Sequence, residues 1–264
     1  INILIANKNF PLISKQIKEL KPNIFVINDL KVFNKVKKKF RKSKTNILNK
    51  LYTKNNSLKK SDITVAAIPG IAGLDPTITM VKISKKILIA NKESIICGWN
   101  LIKKTATNNN TKIIPVDSEH FSIMKLLENH NIKEIKKIYL TASGGPFLKY
   151  KLHKLKSALP QEAIKHPKWK MGKKISVDSA SLMNKMFEIV EAQKLFMFDI
   201  DKIEIVIHPE SLVHAIIELK NGLFKFIYHE TTMLIPLANA IFEKEFKISD
   251  LLIPKFKKKK KIFF

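Results

Sequence analysis

The sequence predicts an α/β protein, with a doubly wound, Rossmann-like parallel sheet followed by an α+β unit. Three observations carry this. Short β-branched runs alternate with polar, helix-compatible segments through the first half. The alternation stops near Lys133, after which strand-like runs surround one long helical segment. The chain of 264 residues, 45% of them hydrophobic, can bury the core of one large domain or two modest ones.

In the first half, Ile1 to Ala6, Ile24 to Ile27, Ile63 to Ile68, Ile87 to Ala90 and Ile113 to Val116 read as buried strands. Ligands of such sheets bind beyond the carboxyl ends of the strands, which directs attention to Asn7-Lys8-Asn9, Gly70 to Gly73, Asn91-Lys92-Glu93 and Asp117-Ser118-Glu119. In the second half, Ile135 to Thr141, Ile203 to Ile207, Leu212 to Leu219 and Leu223 to Tyr228 read as strands, with a helix from about Ala180 to Phe196. Lys151 to Ile175 has no clear periodicity and reads as a long connection of the kind that covers a site. The domain boundaries expected are 1–130, 131–245 and a low-complexity lysine-rich tail, 246–264.

The formal charge of +27 invites a nucleic-acid reading. Against it, Arg41 is the single arginine among 49 basic residues, whereas readers of bases and phosphates lean on arginine's planar fork. The lysines are dispersed among Ile, Asn and Phe, as biased codon usage would leave them, so no specific nucleic-acid partner is expected. No apolar run approaches the roughly 20 residues of a membrane span, and Ile1-Asn2-Ile3-Leu4 lacks the basic start of a signal peptide. A cytosolic protein is expected, with its one cysteine, Cys97, buried.

Four clusters carry chemistry. Asp117 and Glu119, two apart at a strand end, suit a hard oxygen-liganded cation if a third carboxylate converges; equally, Asp117 or Ser118 could simply cap a helix. With Ser179 as N-cap, Asn184, Glu188 and Glu191 share a helix face, and Lys185 precedes Glu188 by three; a solvated face with ordinary pairing explains the same spacing. Ser143-Gly144-Gly145 lets backbone N–H groups approach an oxyanion, or makes a tight turn. His166 and Trp169 could close over a polar ligand, or form a surface loop with a packed indole.

Together these segments resemble the 1-deoxy-D-xylulose 5-phosphate reductoisomerase family. The matching runs, in order, are Gly70-Ile71-Ala72-Gly73-Leu74, Ala90-Asn91-Lys92-Glu93-Ser94, Pro115-Val116-Asp117-Ser118-Glu119-His120, Ser143 to Phe147, His166-Pro167-Lys168-Trp169-Lys170-Met171-Gly172, Lys174 to Asn184 with Lys185 and Glu188, and Ile207 to Ser211. The resemblance runs from about Ile1 to Ile241.

It implies an NADPH-binding first domain, a catalytic and dimerising second domain, and rearrangement of a phosphorylated ketose followed by NADPH reduction to 2-C-methyl-D-erythritol 4-phosphate in non-mevalonate isoprenoid synthesis. By resemblance, Asp117, Glu119 and Glu188 hold Mn²⁺ or Mg²⁺, with Co²⁺ as a further option. Lys92, Glu119 and His166 are the catalytic positions. Ser118, Ser143, Ser179, Asn184 and Lys185 join Lys92, Glu119, His166 and Glu188 around the substrate. Asn7, Lys8, Asn9, Asn91, Glu93 and Gly172 match cofactor positions, with Met171 and Met233 near the nicotinamide. Lys8 suits a 2′-phosphate where an NAD-type site would carry an acid. A homodimer through Leu212 to Tyr228, a bacterial-type cytoplasm or a plastid, and no membrane partner complete the expectation.

Two departures are expected to matter. The family's first strand and glycine-rich phosphate loop precede the first residue here, and its C-terminal helical domain lies beyond the last; the lysine run before Phe264 suits a slipped frame or a truncation. Asn7 occupies a position usually held by glycine, tolerable because asparagine accepts left-handed angles. A working enzyme, a decayed product of the same gene and a polyanion-binding polycation are the three readings this leaves.

Overall fold

A computed structural model describes residues 1–50, 60–166, 168–169, 172–243, 247 and 249. The expected positions Pro167, Lys170 and Met171 and most of the lysine-rich tail lie outside these residues. The chain divides into two compact units, at Ser61 rather than near residue 130.

The first unit is β1 (Ile3–Ala6), α1 (Phe10–Leu20), β2 (Ile24–Ile27), α2 (Leu30–Lys39) and β3 (Asn46–Leu48), with the strands parallel in sequence order. Helix caps decide where its helices start. Asn9 Oδ1 accepts from Leu12 N at 3.2 Å with Pro11 in the first turn, and Asp29 Oδ1 accepts from Val32 N at 2.9 Å. Ile13, Ile17, Phe25, Ile27, Val36 and Ile47 form the core. β3 went unread in the sequence because only Ile47 of its three residues is buried, too short a run to show a period. Asn7 follows β1 without entering the left-handed region.

The second unit opens with β4 (Ser61–Ala66), α3 (Leu74–Lys82), β5 (Ser84–Ile89), α4 (Lys92–Asn108), β6 (Lys112–Pro115) and α5 (Ser118–Leu127), its strands ordered β4-β5-β6. It continues as β7 (Ile135–Ala142), α6 (Leu152–Leu155), α7 (Pro160–Ala163), α8 (Lys173–Ala180), α9 (Met183–Phe196), β8 (Ile203–Ile207), β9 (Val213–Leu219), β10 (Phe224–Tyr228) and α10 (Leu234–Phe242). The last four strands form a mixed sheet, β10-β9-β7-β8, in which β7 and β8 are parallel and the other pairs antiparallel. α5 packs on β9 and β10, and α4 on α9. α10 returns to the β4–β6 sheet, where Leu237, Ala240 and Ile241 meet Leu88, Ile114 and Val116. Lys86 Nζ donates to the Ala240 carbonyl at 2.9 Å, satisfying the end of that helix. These packings join both sheets into one unit, which is why no boundary falls near residue 130.

Three readings need correction. The helix expected from about Ala180 to Phe196 is α9, which starts three residues later at Met183 because a second helix, α8, ends at Ala180 and Leu182 between them takes left-handed angles (φ 58°). Ser179 therefore lies inside α8 instead of capping α9. Cys97 is exposed: on α4 the buried stripe runs through Ser94, Ile95 and Ile102, and Cys97 points away from it. The connection 151–175 contains two one-turn helices and the start of α8. No helix of the described residues is long and apolar enough to cross a membrane.

Candidate functional site

The site lies where α4, α5 and α9 begin, at the carboxyl ends of β5 and β6. Asn91 caps α4: its Oδ1 accepts from Ser94 N at 2.6 Å and its amide donates to Gly70 O at 2.9 Å and to Ile68 O. Those bonds brace the turn at Gly73, where a Cβ would stand 2.4 Å from the Ile68 carbonyl. Thus Asn91, expected at the cofactor, has its amide committed to the loop. The same cap aims Lys92 inward, where its Nζ donates to Asn184 Oδ1 at 2.8 Å and Glu188 Oε1 at 3.0 Å and pairs with Asp117 Oδ2 at 3.3 Å.

Asp117 is both cap and cluster member. Its Oδ1 accepts from Glu119 N at 3.2 Å, so the capping role leaves the residue within the cluster. Capping turns Ser118 and Glu119 into the first turn of α5, where Ser118 Oγ donates to Glu119 Oε2 at 2.5 Å. From α9, Lys185 Nζ donates to Glu188 Oε2 at 2.6 Å and also bonds Glu119. Of the two readings of this face, the solvated one falls: Lys185 is 6% exposed, Glu188 1% and Glu191 1%.

Oxygens of Asp117, Glu119 and Glu188 lie within 4.8 Å of one another, one of two groups among the described residues able to hold an ion. The other is Asp117, His120 and Glu191. His120 Nε2 donates to the Glu188 carbonyl at 3.0 Å while Nδ1 faces Asp117 Oδ1 at 3.1 Å and Glu191 Oε2 at 3.4 Å. Burial opposes charge on this ring, but Glu191 and Asp117 outweigh it and push its pKa up to about 9. With Nε2 committed to the Glu188 carbonyl and Nδ1 to Asp117, the all-oxygen trio is the better match to a hard cation. Burial and Glu188 raise Glu119 to about 7, whereas Lys92 and His120 hold Asp117 well below the usual range despite burial. The trio carries more negative charge than its surroundings hold comfortably, and the ammonium groups of Lys92 and Lys185 lie against it.

Across from the trio, β7 runs into Ser143-Gly144-Gly145, both glycines at positive φ (81° and 67°). Gly145 abuts the end of α8, where a Cβ would come 2.7 Å from the Ser179 carbonyl. His166 Nδ1 accepts from Lys168 N at 3.2 Å and Trp169 N at 2.9 Å, leaving the proton on Nε2, which donates to Ser143 Oγ at 2.9 Å. Ser143 Oγ also accepts from Gly145 N at 3.2 Å, which frees its own proton for a ligand. Burial and Lys185 lower the His166 pKa, in keeping with a neutral ring.

Of the remaining expected positions, Glu93 pairs with Lys174 at 2.8 Å, Lys174 also holding Asp178 at 2.7 Å and so tying α4 to α8. Gly172 precedes α8 and Met233 precedes α10. Asn7, Lys8 and Asn9 are exposed after β1. His120 was not singled out in the sequence, although it lies three residues after Asp117; Glu191, read on the face of Asn184 and Glu188, reaches the same ring.

Fold and site define an α/β protein with a buried carboxylate–lysine centre suited to a divalent cation. A sequence profile described as 1-deoxy-D-xylulose 5-phosphate reductoisomerase matches residues 1–98, and one for the C-terminal domain of that enzyme matches residues 113–196. The chain belongs to the 1-deoxy-D-xylulose 5-phosphate reductoisomerase family. It is 46% identical to the reductoisomerase of Pelagibacter ubique over 92% of its own length and 63% of the relative's, and 43% identical to that of a Wolbachia strain from Drosophila simulans over 91% and 62%. Among solved structures it matches a reductoisomerase in complex with NADPH, fosmidomycin and magnesium (33% identity, TM-score 0.84, 94% of this chain and 64% of that one). It also matches the Zymomonas mobilis enzyme in complex with NADPH (31%, TM-score 0.79, 91% and 62%). The chain therefore spans a little under two thirds of the relatives it matches.

Proposed function

We propose that the protein carrying this chain converts 1-deoxy-D-xylulose 5-phosphate to 2-C-methyl-D-erythritol 4-phosphate, using NADPH and a divalent cation. The observation that carries this is the convergence of Asp117, Glu119 and Glu188 oxygens within 4.8 Å in a buried setting. Mg²⁺ is the ion in the complex of the solved relative; Mn²⁺ and Co²⁺ suit the same oxygen donors. When bound, the ion supplies Lewis acidity and NADPH supplies the hydride.

The chain's own residues do the rest. Asp117, Glu119 and Glu188 hold the ion, with His120 and Glu191 fixing the orientation of Asp117 and Glu188. Lys92, between Asp117 and Glu188, is placed to donate to a substrate hydroxyl and to offset charge there. Ser143, held by His166, presents its hydroxyl proton to the substrate's anionic end, with Ser179, Asn184 and Lys185 supplying further donors. Ser118 sits beside Glu119 to meet the substrate backbone. Trp169, following His166, covers the site and excludes water. Lys8 with Asn7 and Asn9 receives the 2′-phosphate, and Asn91, Glu93 and Gly172 line the cofactor's path.

The reading extends to assembly and place. β10 is an edge strand with Leu223, Phe224 and Phe226 exposed, which supports a homodimer through that sheet. The pathway is isoprenoid synthesis, in a cytoplasmic setting. The test is NADPH oxidation by the natural full-length protein with 1-deoxy-D-xylulose 5-phosphate and Mg²⁺ or Mn²⁺, beside Glu188→Gln. Turnover that falls by about a hundredfold or more in the variant is expected. A folded wild-type protein without turnover overturns the proposal.

A further inference from the structure

His229 follows β10 and belongs to none of the motifs above. A register shift between Phe226 and Tyr228 turns the strand end, and His229 N donates to Leu212 O at 3.0 Å. Its ring then stacks on that of His214 from β9, centroids 3.8 Å apart and 18° from parallel. The other neighbour of His214 is Trp169, whose ring meets it edge-on at 6.0 Å and 71°.

Hydrogen bonds fix the state of both imidazoles. His214 Nε2 donates to the His229 carbonyl at 3.2 Å and His229 Nδ1 donates to the Glu230 carbonyl at 2.8 Å, since a carbonyl can only accept. His229 Nε2 is left as a buried lone pair without a partner. Burial and the neighbouring His229 lower His214 to about 3, with Lys185 adding to that and Asp117 opposing it; burial also lowers His229. Two neutral rings stack without repulsion. His214 is thus clamped between its own backbone bond, the His229 face and the Trp169 edge, close enough to the catalytic cluster to feel Lys185 and Asp117.

We propose that His229 is a positioning residue of the substrate site: its stacked ring fixes the plane of His214, and His214 in turn fixes the pose of Trp169. The inference rests on the reading of Trp169 as the cover of the substrate site. The side chain of His229 contributes face area and stiffness, and its nitrogen chemistry is incidental.

The experiment uses the full-length protein with every tryptophan except Trp169 replaced by phenylalanine, carrying His229→Ala, His229→Phe or His229→Gln. Removing the ring is expected to raise KM for 1-deoxy-D-xylulose 5-phosphate about fivefold while kcat stays within about twofold, and to move Trp169 emission to longer wavelength. His229→Phe keeps both at the parent values, and His229→Gln behaves as His229→Ala. Unchanged Trp169 emission in the alanine variant, or rescue by glutamine and not by phenylalanine, overturns the proposal. Should the alanine variant not fold, the phenylalanine–glutamine comparison decides alone. The emission arm needs no substrate, so it still answers if the protein proves to have no reductoisomerase activity.

Discussion

Two lysine-bearing helices of this molecule put the same side chain to opposite uses. On α2, Lys31, Lys35, Lys37, Lys38 and Lys39 are all exposed, and Lys35 and Lys39 lie over the Phe10 ring at 4.3 and 4.9 Å. There the ammonium groups rest against the ring face while remaining open to water. On α9, Lys185 is buried between Glu119 and Glu188, and its pKa is raised because the carboxylates outweigh the cost of burial. Lys92 at the start of α4 is held in the same way by Glu188 and Asp117. The difference teaches that in so basic a chain a lysine means little until its partners are known.

The sharpest way to break this contrast is Lys185→Met. It strands Glu119 in a buried site and leaves Glu188 with Lys92 as its remaining cation, and is expected to lower the free energy of unfolding by about 3 kcal/mol when no divalent cation is present. Excess Mg²⁺ should recover part of that loss, because the cation replaces the missing charge. Urea titrations with and without the ion measure both; a variant as stable as wild type without Mg²⁺ would remove the electrostatic account of the cluster.

A smaller effect comes from pH. His214 has a folded-state pKa of about 3, below its ordinary 6.5, so its contribution is complete above 6.5 and is lost as pH falls through that value toward 3. For one such group the loss is on the order of 2 kcal/mol between about pH 7 and pH 5. Glu119 and Glu191, both raised to about 7, act in the opposite sense, contributing most at low pH and losing it as pH rises through that value. The comparison of wild type with His214→Phe therefore isolates the imidazole: the variant should lose less stability on acidification. Equal slopes would show that the ring is not held neutral.

The smallest effect belongs to the other helix. Lys38→Ala on α2 should change stability by less than about 0.5 kcal/mol, as expected for an exposed residue with no structural partner. Calorimetric unfolding measures it, and a loss as large as that of Lys185→Met would erase the distinction between the two helices.

Much of the site was legible because its residues come in short runs. Asp117, Ser118 and Glu119 are contiguous, and Asn184, Lys185 and Glu188 fall at helical spacing, so local geometry already brought each set together. What stayed hidden depended on distance along the chain. Asn91 reads as a ligand-facing residue after a strand, and nothing local announces that its amide also braces the turn at Gly70 and Gly73. Cys97 looked buried in an apolar run, but α4 rotates it outward. Ser179 looked like a cap because nothing local announces that a separate helix, α8, runs through it and that Leu182 takes left-handed angles before α9.

By itself the sequence determined the α/β class, the positions of every strand but β3 to within a few residues, and the order of the site motifs. Hydrophobic period, capping residues and motif spacing are local properties, and local steric and solvation rules fix them. Only the tertiary structure decided that a face able to sit in water is interior, that His120 meets Asp117, Glu191 and the Glu188 carbonyl at once, and that His214 lies between His229 and Trp169. Those outcomes come from packing between elements distant in sequence, where burial strengthens each charge interaction and no single segment holds both partners.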